Sequence, residues 1–215
     1  MIVRYWMTES PQVTGENATL LEALNQMRKG HIRRLPVVRG SDLCGIISLS
    51  DLYRYVDPSH INSAVLPERS AELLKTRKVR QAMTGDPVTC ATNTPLEEAG
   101  RLMRDRRVGA LPVMQHGDLV GIITESDVLT ALVSIATAGE NSRRICLRIS
   151  DRYRRDIFGD IVRLCHQYGL ELLVLLTHPL RQEKDHMVML RLRGSRVDHF
   201  VAAIFDSPYQ TLLVE

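Results

Sequence analysis

Two short runs carry the side chains best placed for chemistry, Ser48-Leu49-Ser50-Asp51 and Thr124-Glu125-Ser126-Asp127. Each sets a hydroxyl three residues ahead of a carboxylate, where an apolar run (Gly45-Ile46-Ile47, Gly121-Ile122-Ile123) turns into a helical pattern. The free N–H groups of a helix start suit a phosphate or a hydroxyl. A carboxylate at that point can accept both vicinal hydroxyls of a ribose, and the hydroxyl beside it can donate to a phosphate oxygen. Ahead of the first run lie Arg33-Arg34, two guanidiniums suited to bidentate phosphate contact. The matching place ahead of the second run holds Gly109-Ala110, small residues that leave room for a flat base. The plainer alternative is that Ser48 and Asp51 only start a helix and that Arg33-Arg34 is a solvated surface pair.

Other chemistries find no constellation. There is no G-x-S-x-G, H-E-x-x-H, phosphate-binding P-loop or G-x-G-x-x-G run. His178, His186 and His199 lack ligand spacing, so neither a catalytic residue nor a metal site is expected. The chain reads as a non-enzyme with no obligatory cofactor. Cys44, Cys90, Cys146 and Cys165 lie far apart and read as reduced, buried thiols of a cytoplasmic protein. The longest stretch without charge, Val128 to Gly139, falls well short of the roughly 20 residues that cross a bilayer. The opening MIVRYWMTES has no apolar run of signal-peptide type, so no membrane partner is expected. The net charge of +3 arises wholly within residues 143–215. Arg143, Arg144, Arg152, Arg154 and Arg155 could form a basic face for nucleic acid, but a solvated surface accounts for them more simply.

The two runs belong to an internal repeat. Shifted by 76 positions, Met7–Leu52 falls on Met83–Val128 without a gap; Met7-Thr8, Pro11, Leu20, Met27, Leu35-Pro36-Val37, Gly45-Ile46-Ile47 and Asp51 all recur. Each copy predicts an extended segment, then an amphipathic helix. The first helix starts with the capping box Thr19-x-x-Glu22 and carries the stripe Leu20, Leu24, Met27. The second has Pro95 at its first helical position and the stripe Leu96, Ala99, Met103. The helices are expected to give way at Gly30 and near Gly109. Two strands joined by a Gly-containing turn follow, and then a helix from Ser50-Asp51 (Leu52 to Val56) or Ser126-Asp127 (Val128 to Ile135). A β-α-β-β-α unit of about 50 residues is too small to bury much surface alone, so the copies should pack on each other.

The boundaries read as a first unit at 1–57, a linker at 58–78 with a possible helical turn from Glu68 to Leu74, a second unit at 79–136, a linker at 137–142 and a last domain at 143–215. That domain alternates Ile145, Leu147 and Ile149 as a half-buried strand. It continues with a helix (Asp156 to Tyr168), strands Leu172–Thr177 and Met187–Leu192 around a polar turn at Arg181–Asp185, a helix Val197–Phe205 and a strand Thr211–Val214. The order β-α-β-β-α-β is that of ferredoxin-like domains. The fold class is thus mixed α/β (α+β).

The doubled pattern, I-R-R-L-P-V-V…G-I-I-S-L-S-D-L at 32–52 and V-G-A-L-P-V…G-I-I-T-E-S-D-V at 108–128, resembles a tandem of cystathionine-β-synthase (CBS) domains, the pair known as a Bateman module. The resemblance implies two units packed as a pseudo-twofold pair whose clefts take adenosyl ligands: AMP, ADP, ATP or S-adenosylmethionine. It assigns the ribose acids to Asp51 and Asp127, their hydroxyl partners to Ser48 and Thr124, and the basic phosphate pair to Arg33-Arg34. One cleft would join Arg33, Ser48 and Asp51 to Val88, Val108, Gly109 and Ala110. The other would join Thr124 and Asp127 to Val13, Ile32 and Arg34. The second copy lacks the basic pair, so the two clefts are not equivalent.

The last domain resembles an ACT domain by element order, although Asp151-Arg152-Tyr153-Arg154-Arg155 lacks the glycine of the family's first turn. The whole layout is similar to the acetoin-utilisation AcuB proteins. It implies a homodimer, through the CBS units or the ACT-like domain, that senses an adenine nucleotide for an unidentified regulated protein in acetoin or carbon metabolism. The alternatives are a nucleic-acid-binding regulator and a ligand-free structural assembly subunit.

Overall fold

The computed structural model describes residues 1–56, 66–137, 141–150, 157–180, 185–207 and 209–214, arranged in two compact units, Met1–Ala131 and Leu132–Glu215. The division falls inside a helix, a few residues before the small polar run at 137–142.

In the first unit the repeat appears twice in the same order. Strand β1 (Thr8–Glu9) precedes β2 (Thr14–Gly15), helix α1 (Leu20–Gly30), β3 (Arg34–Arg39), β4 (Asp42–Ser48) and α2 (Leu49–Leu52). Helix α3 (Glu68–Thr76) then leads to β5 (Thr84–Gly85), β6 (Cys90–Ala91), α4 (Leu96–Arg106), β7 (Ala110–Gln115), β8 (Asp118–Thr124) and α5 (Glu125–Ala136). The strands form two four-stranded sheets, β2-β3-β4-β5 and β1-β8-β7-β6.

The entry strands are exchanged. β1 precedes the first copy in sequence yet pairs with β8 of the second, while β5 precedes the second copy and pairs with β4 of the first. Side chains follow the strands. Val3 is fully buried in the second copy's core and Val79 in the first's. The identities between the copies acquire a reason here. A Cβ on Gly45 would lie 2.6 Å from Met83 Sδ, and one on Gly121 would lie 2.6 Å from Met7 Sδ. Each glycine thus makes room for the methionine that crosses from the other copy. This exchange lets two small units complete each other's cores and so share one fold.

Local chemistry explains the helix ends, and corrects several expectations. Thr19 caps α1 as expected: Glu22 N–H donates to Thr19 Oγ1 at 3.1 Å, and Thr19 N–H donates to Glu22 Oε2 at 2.6 Å. Pro95 is the N-cap of α4 and not its first helical residue, and Thr94 Oγ1 instead accepts from Ala91 N–H at 3.0 Å. The first helix gives way at Gly30 as expected, and the second ends at Arg106, three residues before Gly109. Each closes on a left-handed residue, His31 (φ 50°) or Arg107 (φ 55°), whose N–H reaches back to the last carbonyls. Such a conformation costs a non-glycine residue about 1–2 kcal/mol. The helices after β4 and β8 begin three residues earlier than Leu52 and Val128, at Leu49 and Glu125. The stretch read as linker holds a nine-residue helix, and Leu74 of α3 is fully buried in the first core.

The second unit runs β9 (Arg143–Ser150), α6 (Ile157–Tyr168), β10 (Glu171–Pro179), β11 (Asp185–Arg193), α7 (Val197–Phe205) and β12 (Gln210–Val214). The sheet order is β10-β11-β9-β12, antiparallel throughout, which is the ferredoxin-like arrangement. Ile145, Leu147 and Ile149 point to the core with Ile161, Leu190 and Phe200. Arg191 on β11 donates from Nε to the carbonyl of Ala136 at 2.7 Å and from Nη1 to Ser142 Oγ at 2.9 Å. It thereby satisfies a carbonyl that the end of α5 leaves open. The glycine-less turn at Asp151, with Arg152, Arg154 and Arg155, lies outside the described residues, as does most of the polar turn at 181–185 and the middle of the run at 137–142.

Candidate functional site

The hydroxyl–carboxylate pairs sit where the repeat places them, and each is already bonded within itself. Ser48 is the N-cap of α2, and Asp51 Oδ2 accepts from Ser48 N–H at 2.7 Å and from Ser48 Oγ–H at 2.6 Å. In the second copy Asp127 Oδ2 accepts from Thr124 N–H at 2.8 Å and from Thr124 Oγ1–H at 2.7 Å, while Asp127 N–H donates to Thr124 Oγ1 at 3.3 Å. This is capping-box chemistry. A hydroxyl has one proton to donate, and here it goes to the carboxylate, so it does not donate to a phosphate in this arrangement. Oδ1 of each aspartate takes part in none of these bonds, which leaves one carboxylate oxygen for a ribose hydroxyl. Phosphate donors must come from elsewhere.

Basic donors stand on the neighbouring strand, at the same end of the β3–β4 ladder. Arg34 stands directly opposite Ser48 in the register, and Leu49 N–H donates to Arg33 carbonyl at 2.8 Å. The two arginines and the start of α2 are therefore held together by backbone pairing. A cleft of about 780 Å³ opens here, lined by Met27, Arg28, His31, Ile32, Arg33, Arg34, Ser48, Leu49, Ser50 and Tyr53. Among the described residues its charged lining is entirely basic. A concavity of about 560 Å³ on the outer face of α4, around Glu97 and Arg101, contains none of the expected residues.

Of the residues expected from the sequence, Ile32, Arg33, Arg34 and Ser48 line the cleft, and Asp51 is bonded to Ser48 at its edge. Arg28, His31, Ser50 and Tyr53 join them unforeseen. The run R-K-G-H-I-R-R, basic on both sides of the end of α1, was the available signal. Val88 and Val108 are half-buried against the second core, Ala110 is buried in β7, and Val13 is exposed just before β2. None of these four lines the cleft. Thr124 and Asp127 form the matching corner of the second copy, where Ala110 stands opposite Thr124 and Glu125 N–H donates to Gly109 carbonyl at 3.3 Å. Gly109 does not leave open room: the guanidinium of Arg34 lies over it, 2.2 Å (Nη2) from where a Cβ would stand.

The thiols take no part in this site. Burial pushes the Cys90 thiol up to about 11 and raises that of Cys165. Cys44 is also raised, by burial first and then by the charge of Glu16. Only Cys90 and Cys165 are buried; Cys44 and Cys146 are half-buried, less enclosed than expected. Among the described residues no helix is long and apolar enough to cross a membrane.

The geometry agrees with the comparisons to known proteins. The model of the CBS domain matches twice, at residues 3–58 and 79–134. A CBS domain-containing protein of Dictyostelium discoideum is 36% identical over 140 residues, which is 63% of this chain and 93% of that protein. Among solved structures, a protein described as an acetoin utilization protein (AcuB) from Vibrio cholerae superposes with a TM-score of 0.52 at 28% identity, over 65% of this chain and 98% of that one. CBSX2, solved in complex with AMP, gives a TM-score of 0.52 at 26% identity, over 62% of this chain and 97% of that one.

Proposed function

The chain belongs to the CBS-domain family, and from that premise we propose that it is a non-enzymatic sensor that binds an adenine nucleotide at the start of α2 and relays the occupancy to a partner protein. The observation that carries the reading is the convergence of Arg28, His31, Arg33 and Arg34 on one cleft beside the Ser48–Asp51 pair. Cations and helix-start N–H groups meet phosphates, the free carboxylate oxygen of Asp51 meets the ribose, and Met27, Ile32 and Leu49 supply apolar walls for a base. The complex of CBSX2 with AMP is in keeping with a ligand of that class.

Thr124 and Asp127 mark a second, weaker site. In this reading the ACT-like domain is the reporter. The exposed stripe Leu129, Leu132 and Val133 on α5 suits a homodimer contact. A role in acetoin or carbon metabolism, in the cytoplasm, is in keeping with the similarity to the Vibrio cholerae protein.

Isothermal titration of nucleotide-free protein with AMP, ADP, ATP and S-adenosylmethionine tests the reading. Saturable binding of at least one of them is expected. No heat from any of the four removes the sensor function.

A further inference from the structure

Gly109 occupies the position that Arg33 holds in the first copy, and its missing side chain has a visible use. A Cβ built there would lie 2.2 Å from Nη2 and 2.9 Å from Cζ of Arg34, and 3.1 Å from Oε2 of Glu125. The guanidinium thus crosses from β3 of the first copy and rests on the backbone of the second, with the Glu125 carboxylate nearby but not paired with it. Arg34 is also one of the residues lining the basic cleft. One side chain therefore faces two environments. On the cleft side it stands with three other basic groups, Arg28, His31 and Arg33, and on the other side it has Gly109 and an acid. The first copy has no counterpart to that acid, because Leu49 takes the place of Glu125.

We propose that Arg34 sets the ligand preference of the cleft by charge: an anion bound among Arg28, His31 and Arg33 draws the Arg34 guanidinium off Gly109, against the longer-range pull of Glu125. The inference rests on the sensor reading and deepens it. A ligand shifts such a side chain only as far as it interacts more strongly with one position than with the other. Affinity must therefore rise with phosphate charge, in the order S-adenosylmethionine, AMP, ADP, ATP. Moving Arg34 also removes a contact between the copies, so the number of phosphates becomes a signal that the second copy receives.

Gly109→Ala is an unusually clean probe. Gly109 does not lie in the left-handed region, so alanine brings no backbone strain, and the new methyl collides with the movable end of Arg34. The variant should fold, displace Arg34 from its resting place, and bind ATP roughly three- to tenfold more tightly, with a smaller gain for AMP. Glu125→Gln should tighten ATP by no more than about twofold, since the two groups are near each other but not paired, and that gain should shrink at high salt. Arg34→Ala should weaken ATP more than AMP, and Gly109→Ala made in that background should change nothing, since the two substitutions act through one contact.

Inorganic tripolyphosphate, titrated beside the nucleotides, separates the two readings. Binding of tripolyphosphate without any adenosyl ligand keeps the anion inference and removes the adenosine reading. AMP bound as tightly as ATP, with no effect of Gly109→Ala, keeps the sensor and overturns the inference. An equal gain from Gly109→Ala with and without Arg34 also overturns it, and silence from both ligand types removes both.

Discussion

The two copies of the repeat share a skeleton and differ in charge. Their strands, first helices, capping aspartates and exchanged entry strands coincide at a constant offset, down to the methionine that crosses onto the partner glycine. The residues around the Ser48 and Thr124 corners do not coincide. The first copy has Arg33-Arg34 and Leu49, and the second has Gly109-Ala110 and Glu125. The shared positions are those that packing and backbone pairing need, since an extra methylene or a lost cap is felt at once in a dense core. The divergent positions, Ala110 apart, are exposed or half-buried, and in the proposed reading they answer to a ligand. On that reading a duplicated fold keeps its frame symmetric while its two ligand corners specialise.

The frame can be attacked most severely at the exchange. Val3→Asp and Val79→Asp each place a charge at a fully buried position, in the second core and the first respectively. Each should cost more than about 3 kcal/mol, measured by chemical denaturation. Similar losses are expected because the two positions are equivalent. A harmless Val3→Asp would show that the first residues do not belong to the second core.

The clefts are separated next. Asp51→Ala should weaken nucleotide binding by roughly tenfold, the loss of a hydrogen bond to a charged group, while Asp127→Ala should weaken it much less. Both should lower stability by about 1 kcal/mol through loss of the helix-start bonds. Calorimetry and thermal melts read the two effects independently. Equal binding losses would mean that the clefts have not diverged.

A smaller asymmetry lies at the first turn of α1 and α4. Thr19 and Glu22 form a reciprocal box, whereas Pro95 offers no such side chain. Hydrogen bonds from Thr19 backbone and side chain hold the Glu22 carboxyl below its ordinary value. Thr19→Ala should cost about 1 kcal/mol at neutral pH. Glu22 is a group whose folded value is depressed, so its contribution is present above the unfolded value and fades as pH falls through the folded one. The cost of Thr19→Ala should therefore shrink in acid.

Much of this was legible in the residues themselves. The repeat announces itself by identity at a fixed offset, and Thr19-x-x-Glu22 announces a helix start. The alternation of Ile145, Leu147 and Ile149 marks a strand, and Val197–Phe205 has the same limits in the sequence reading and in the fold. What stayed hidden depends on partners far along the chain. A two-residue strand such as β1 satisfies either sheet equally well by pattern, and only Val3 and Met7 packing into the second core decides between them. His31 and Arg107 close their helices because their N–H groups reach particular carbonyls, a geometric outcome that outweighs the usual preference for glycine. The reach of Arg34 onto Gly109 is a rotamer choice across the two copies, and no spacing rule encodes it.

The last difference is the smallest and concerns a proton. Thr14 and Cys90 are equivalent positions on β2 and β6, both buried, but only the second can titrate. Burial holds the Cys90 thiol up at about 11 from an ordinary 9.0. Between those values the folded chain keeps a proton that the unfolded chain releases, so the folded state binds more protons and stability falls as pH rises. The contribution is intact below the unfolded value and is lost as pH climbs through the folded one. Denaturation midpoints of the wild type should therefore decline between pH 9 and 11 more steeply than those of Cys90→Thr, which copies the first repeat. Parallel declines in the two proteins would show that the alkaline sensitivity resides elsewhere than in the second copy's β6.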